Sequence, residues 1–286
     1  MAVVDASLSA AATDAARVAL PVVLTVAGSD SSGGAGIQAD LKTFAALRCF
    51  GTSAITALTA QNTLGVRAVA PCPPDVVAAQ IDAVTADLPV RAAKTGMLVD
   101  KETIEAVAGA LSSTTFPLVV DPVMISKSGH ALLRDDAIDA LLTHVVPRAA
   151  LVTPNLPEAA RLTGVAMHGT PSDDDIVRAG RALLSRGAQA VLVKGGHAAG
   201  DLVVDVLVRP DGVQRFTSTR HATRHTHGTG CTLSAAIACL LARGFPLEAA
   251  VARAVAYVNQ AIAQAPGLGA GHGPLHHLHP LYPSIA

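Results

Sequence analysis

The stretch Thr226-His227-Gly228-Thr229-Gly230-Cys231-Thr232-Leu233-Ser234 holds the residue types best placed for chemistry. A Gly-Thr-Gly turn running into an apolar helix (Ile237, Leu240, Leu241) leaves backbone N–H groups unpaired at the positive end of the helix dipole. That is a seat for a phosphate oxygen or a developing anion. The same field is expected to lower the pKa of Cys231 and favour its thiolate. A lone cysteine on such a helix is more often a small core residue, the reading given to Cys239. The glycines around Cys231 set it apart.

Three further places carry candidate chemistry. The loop Gly28-Ser29-Asp30-Ser31-Ser32-Gly33-Gly34-Ala35-Gly36 leads from a strand to a helix. Its small residues let the backbone approach a ligand, and Asp40, one turn into the helix, could reach back toward it. The plain alternative is a tight turn and a solvated aspartate. Asn155 and Glu158, three apart, suit magnesium held through water, or equally a helix cap and a surface carboxylate. Lys194, followed by Gly195-Gly196, could meet nucleotide phosphates or be an ordinary solvated charge. His276, His277 and His279 lack supporting carboxylates or cysteines and read as structural or surface residues. Asp173-Asp174-Asp175 reads as a favourable charge cluster at a helix start. Neither GxxxxGK[ST] nor a helix-opening GxGxxG occurs.

The elements that must position these residues alternate along the chain. Strands are expected at Val22–Ala27, Ser53–Leu58, Ala92–Thr95, Leu118–Asp121, Leu151–Thr153 and Ala190–Lys194, from short apolar runs ending in turn residues. Helical spacing appears at Ile37, Leu41, Phe44 and Ala45, and again at Val77, Ile81, Val84 and Leu88, with Asp75 placed to cap the second. More helices are expected near Glu102–Leu111, Asp135–Thr143, Pro157–Thr163 and Asp173–Ser185, the last opened by a capping box of Ser172 and Asp175. Leu202–Val208 and Val213–Thr217 read as a hairpin around Arg209-Pro210-Asp211-Gly212, followed by helices from Gly230 and Pro246. Alternation of this kind implies a mainly parallel sheet covered on both faces, with ligands beyond the carboxyl ends of its strands.

Composition sets the outer bounds. The chain has 286 residues, half of them hydrophobic and 15% charged, with 21 basic against 22 acidic side chains. It is long and apolar enough for a large α/β core, and disorder does not fit. Balanced charge and few aromatics (five Phe, two Tyr) speak against nucleic acid as a partner. No stretch reaches the ~20 apolar residues of a membrane span, and the start does not read as a signal peptide. Four cysteines without CxxC spacing fit a reducing cytoplasm. Residues 1–20 read as an extension and 21–286 as one domain.

Taken in order, these segments resemble the hydroxymethylpyrimidine/phosphomethylpyrimidine kinases of thiamine biosynthesis. The resemblance rests on the run from Ala27 to Asp40, Gln61-Asn62-Thr63, Lys94-Thr95-Gly96-Met97-Leu98, Asp121-Pro122-Val123-Met124, Lys127-Ser128-Gly129, Thr153-Pro154-Asn155-Leu156-Pro157-Glu158-Ala159, Val193-Lys194-Gly195-Gly196-His197 and His227 to Thr232. It spans about residues 22 to 282 and implies a ribokinase-like three-layer α/β/α fold, a homodimer, and two successive transfers from Mg-ATP. By motif position it implies that Gln61 meets the pyrimidine edge, with Gly28, Asp40, Met97 and Val123 completing that pocket. Asn155, Lys194, Thr226 and Gly228 would serve ATP, and Glu158 with Asn155 the magnesium ion. Cys231, with Gly228 and Gly230, would serve catalysis; Cys231 stands where related sugar kinases carry an aspartate base. Gln61 replaces the glutamate some members carry, and Ala199–Val208 departs from the family's more acidic, Tyr-containing form. A pyridoxal or pyridoxine kinase is the nearest alternative, and a catalytically silent binder of a vitamin precursor the alternative of another class.

Overall fold

The computed structural model describes residues 20–282, apart from 126–128, 130–131, 135, 168–170 and 197–199. The expectations for residues 1–19, for Lys127-Ser128 and for His197 lie outside the described residues.

β1 (Val22–Asp30) shows how the sequence builds the frame. Its side chains alternate between two sides, yet both sides are apolar: Leu24 and Val26 enter one core cluster, Val23 the other. A strand covered on both faces loses polar alternation, which is why these strands read as short continuous apolar runs. The same split recurs at β5 (Leu118–Val120), β6 (Leu151–Val152) and β7 (Val191–Val193). Helices α2 (Pro74–Asp87), α3 (Lys101–Ala110), α4 (Ala137–Ala140), α5 (Leu156–Thr163) and α6 (Asp173–Leu184) cover the first face. α1 (Gly36–Ala46), α7 (Thr229–Ala242) and α8 (Leu247–Ala263) cover the second. The three layers match the expected α/β/α arrangement.

With β2 (Phe50–Asn62), β3 (Gly65–Pro71), β4 (Val90–Thr95), β8 (Leu202–Arg209) and β9 (Gly212–Thr219), the nine-stranded sheet has the order β3-β2-β1-β4-β5-β6-β7-β8-β9. Pairing is parallel from β2 through β7 and antiparallel at the two margins. Strand order reverses between β1 and β4, and in open α/β sheets the crevice at such a switch point takes the ligand.

Several local expectations change. β2 runs well beyond Ser53–Leu58, and β3, which sequence reading did not find, folds back on it through a turn in which Asn62 Oδ1 accepts from the N–H groups of Leu64 and Gly65. β3 has an exposed edge composition of small residues, an arginine and a terminal proline, without the apolar run of the central strands. Asp75 is not the cap of α2. Pro74 takes the first helical position and Pro73 the cap, which leaves Asp75 inside the first turn. The helix expected over Asp135–Thr143 shortens to α4, then widens into a π-turn (Leu141–Val145) and a 3-10 turn (Val146–Arg148). Pro147 explains the change, since it has no N–H for the α-helical ladder. Among the described residues no helix is long and apolar enough to cross a membrane.

Candidate active site

The carboxyl ends of β1, β2 and β4–β7 meet the N-terminus of α7 around one cavity of about 920 Å³. Gly28, Gln61, Met97, Val123, Asn155, Glu158, Lys194, Thr226, Gly228, Gly230 and Cys231 all line it. Those eleven residues come from segments far apart in sequence, so the sheet edge brings together nearly the whole expected set.

At the centre is the turn before α7. Gly228 has φ +85°, and a Cβ there would fall 1.9 Å from the Gly34 carbonyl oxygen, so no other residue fits the conformation or the space. A Cβ at Gly230 would stand 3.2 Å from Lys194 Nζ and 3.4 Å from Asp121 Oδ2. Its absence keeps the helix N-terminus open toward those charges, as an anion seat requires.

One end of the cavity is ionic. Lys194 Nζ donates to Asp121 Oδ1 at 2.8 Å and stands 3.9 Å from Glu158 Oε2. Asn155 and Glu158 form a capping box on α5: Asn155 Oδ1 accepts from the Glu158 N–H, and Glu158 Oε2 accepts from the Asn155 N–H, both at 2.8 Å. The helix cap offered by the sequence is present, but Glu158 is buried rather than a surface carboxylate, and both residues also line the cavity. Burial pushes the Glu158 carboxyl up to about 7; Lys194 opposes that shift and the charge of Asp121 adds to it. Two carboxylates this close, with one ammonium between them, have the hard oxygen chemistry that suits a magnesium ion carrying water and phosphate ligands. Asp121 belongs to that donor set although sequence reading gave it no role. A carboxylate directly after the apolar run Leu118–Val120 was the available signal.

The opposite wall is closely tied by hydrogen bonds. Ser31 Oγ donates to the Gln61 carbonyl at 2.8 Å and accepts from the Gln61 N–H at 2.9 Å, which fastens the glycine-rich loop to the end of β2. Thr56 Oγ1 donates to the Met97 carbonyl at 2.6 Å, holding Met97 against this wall. Asp30 and His227, present in the matching motifs but given no role, line the cavity here. A third region, apolar with Leu233, Val255, Val258 and Ile262, is bordered by His221, whose Nε2 lies 3.1 Å from Asn259 Oδ1. Asp205 Oδ1 accepts from the Gly195 N–H at 2.8 Å and so fixes the turn after Lys194. A charge interrupting the apolar run of β8 marked it in the sequence.

Two expectations are overturned. Asp40 does not reach the loop or the cavity: it is fully buried, accepts from Thr25 Oγ1 at 2.6 Å, and pairs with the equally buried Lys94 at 2.9 Å. Burial opposes charge on Lys94, but Asp40 outweighs it and holds the ammonium above the ordinary lysine range. Cys231 is not poised as a thiolate. Burial pushes its thiol up to about 11; Lys94 opposes the shift, while Asp40 and Asp121 reinforce it. The lowering expected from the helix start does not prevail: burial and two carboxylates raise the thiol.

Residues 30–276 match the family model described as phosphomethylpyrimidine kinase. A hydroxymethylpyrimidine/phosphomethylpyrimidine kinase of Rhizobium meliloti (strain 1021) is 52% identical over 260 residues, covering 90% of this chain and 97% of that protein. The structure of a phosphomethylpyrimidine kinase from Clostridium difficile 630 superposes with TM-score 0.75 at 44% identity, covering 85% of this chain and 99% of that one. An ADP complex of Bacillus subtilis pyridoxal kinase superposes with TM-score 0.83 at 36% identity, covering 90% and 97%. With the three-layer fold, the glycine turn at the start of α7 and these matches together, the chain belongs to the phosphomethylpyrimidine kinase family, ATP-using phosphotransferases of ribokinase-like fold.

Proposed function

We propose that this protein transfers the γ-phosphoryl group of ATP to the hydroxymethyl group of 4-amino-5-hydroxymethyl-2-methylpyrimidine, and a second phosphoryl group to the resulting phosphate, for thiamine biosynthesis. The observation that carries this reading is a single cavity that brings together the glycine turn at the start of α7, a hydrogen-bonded wall at Gln61 and the ionic Lys194–Asp121 pair. On this reading the ring lies against Gly28, Gln61, Met97 and Val123. The apolar region by Val255, Val258 and Ile262 takes the adenine, and Asn155, Lys194, Thr226 and Gly228 serve the phosphates. Asp121 and Glu158 would hold magnesium through water, with Asn155 supporting Glu158. The ion, when bound, neutralises charge on the phosphates being transferred and left behind.

In the first transfer the hydroxymethyl oxygen bonds to the γ-phosphorus, the bond to the bridging oxygen of ADP breaks, and the hydroxyl proton passes to an oxygen of the transferred phosphoryl group. Phosphoryl transfer depends mainly on alignment and charge stabilisation, which the Gly228–Gly230 N–H groups and Lys194 supply. Cys231, a thiol at rest, orients the hydroxyl rather than waiting as a base. In the second transfer the nucleophile is an ionised phosphate oxygen and needs no base. The unpaired state of all four cysteines supports a cytoplasmic setting, the family resemblance supports a homodimer, and residues 21–286 act as one domain.

A second activity toward pyridoxal has its own support, since a pyridoxal kinase at 36% identity shares the fold over 90% of the chain. A mass-spectrometric time course with Mg-ATP separates the readings. Monophosphate followed by pyrophosphate is expected from the pyrimidine. Product from pyridoxal alone would reassign the protein, and turnover of neither would leave a silent binder.

A further inference from the structure

Asp30 ends β1 and is 3% exposed. Its Oδ1 accepts from the Ser32 N–H and Ser32 Oγ, its Oδ2 from the Ala35 N–H, each at 2.8 Å, and His227 Nε2 lies 2.9 Å from Oδ2. Burial opposes its charge, yet His227 and Ser32 outweigh burial and hold the carboxyl below its ordinary range. An ionised carboxylate offers only lone pairs, so the hydrogen of this contact must sit on His227 Nε2.

The side-chain amide of Gln61 reaches the same nitrogen: its Nε2 stands 3.0 Å from His227 Nε2, and its Oε1 stands 3.3 Å from Thr59 Oγ1. Two N–H groups cannot bond to each other. A half-turn of the amide about its last torsion removes the conflict. Oε1 then accepts from His227 Nε2–H, and the amide N–H donates to Thr59 Oγ1. That hydroxyl already gives its own proton to the Ser29 carbonyl at 2.9 Å and keeps lone pairs free. In this arrangement the one Nε2–H of His227 is shared between Asp30 Oδ2 and Gln61 Oε1, one amide N–H meets Thr59, and no two donors face each other.

We infer that Asp30 and His227 are positioning residues that lock the Gln61 amide with its oxygen toward His227 and its N–H toward Thr59, and that this lock selects which heteroaromatic ring edge the protein prefers. The inference rests on the proposed function. A locked amide keeps one N–H and one lone pair on defined sides. That pattern matches an edge carrying a ring-nitrogen acceptor beside an exocyclic amino donor, as in an aminopyrimidine. A hydroxypyridine edge such as that of pyridoxal lacks the amino donor. An amide free to turn would serve both edges, so selectivity resides in the lock rather than in Gln61 itself.

The test compares His227→Leu, His227→Gln and wild type, with saturating Mg-ATP, on hydroxymethylpyrimidine and on pyridoxal as substrate or competitor. For His227→Leu we expect KM for the pyrimidine to rise about tenfold or more, the value of one well-made hydrogen bond, with kcat within about twofold. The pyrimidine-to-pyridoxal preference should narrow by a similar factor. His227→Gln, whose amide can donate to both Asp30 and Gln61, should restore most of the preference. Equal losses on both rings, a fall in kcat alone, or a His227→Gln variant as poor as His227→Leu would overturn the lock. In the wild-type protein, nitrogen NMR of the imidazole should find the proton on Nε2, and a bare Nε2 would overturn it independently of any variant. Wild-type protein that phosphorylates neither ring would instead overturn the functional reading, and the inference with it.

Discussion

Two lysine–aspartate pairs act on Cys231 at the start of α7, and they are not equivalent. Lys94 and Asp40 are both 0% exposed and joined at 2.9 Å. Lys194 and Asp121 are joined at 2.8 Å with exposures of 13% and 2%, and both line the cavity. The residue types and the contact are alike, but one pair has no free side and the other does. A closed pair can act only through structure and field. An open pair can exchange partners with an incoming phosphate, because the desolvation that penalises a broken pair is relieved by a new charge. Cys231 is subject to charges of both pairs, Lys94 lowering its pKa and Asp40 and Asp121 raising it.

Breaking the closed pair should have the largest effect. Lys94→Met leaves Asp40 buried without its counter-charge, and we expect a loss of about 3–5 kcal/mol in denaturant unfolding. Adding Asp40→Leu should regain most of that loss. A double variant no better than the single would show that Lys94 contributes through something other than this pair. Lys194→Met should shift the balance, lowering kcat/KM for ATP by about 10²–10³-fold through lost charge stabilisation, with a smaller stability loss than Lys94→Met because this pair opens onto the cavity. A stability loss as large as that of Lys94→Met would erase the distinction between the pairs.

His277 extends the comparison to a buried group without an opposite charge beside it. It is 3% exposed, its Nε2 has no hydrogen-bond partner among the described residues, and burial, aided by the charges of Lys42 and neighbouring histidines, pushes its pKa down to about 4. The unfolded chain therefore takes up this proton first as pH falls. Its contribution is complete above about pH 6.5, declines through the interval down to pH 4 and is then gone, up to about 3 kcal/mol in all. His277→Leu should flatten that part of the stability profile, and an unchanged slope would assign it to other groups. The smallest effect concerns the residue between the pairs. Cys231→Ala should slow the first transfer about tenfold, the value of one hydrogen bond, and the second less. Equal losses in single-turnover assays of the two steps would remove Cys231 from hydroxyl positioning.

Much of the frame was legible in the residues. Apolar runs of strand length, helical spacing in α1 and α2, the capping box at Ser172 and the hairpin around Pro210-Asp211-Gly212 all carry local signals, and all appear in the structure. What escaped was non-local or contradicted its local pattern. β3 is a strand because it pairs with β2, not because of its own composition. Asp40 lies one turn into a helix behind a glycine-rich loop, where a short carboxylate reads as a loop partner. Its true partner, Lys94, is 54 residues away on β4. Asp121 and Asp205 were visible as charges against apolar runs, but their roles depend on Lys194 and Gly195, which only the folded sheet brings near.

The sequence by itself determined most of the backbone: which segments extend or coil, β3 excepted, and that the candidate residues sit at strand ends. These follow from sterics and from periodic burial, which act over a few residues. Only the tertiary structure decided the charge state and partner of each group. Whether Cys231 is a thiol, whether a lysine faces solvent or a buried aspartate, and which way the Gln61 amide turns depend on desolvation and on neighbours from distant segments. Spacing along the chain does not encode those terms.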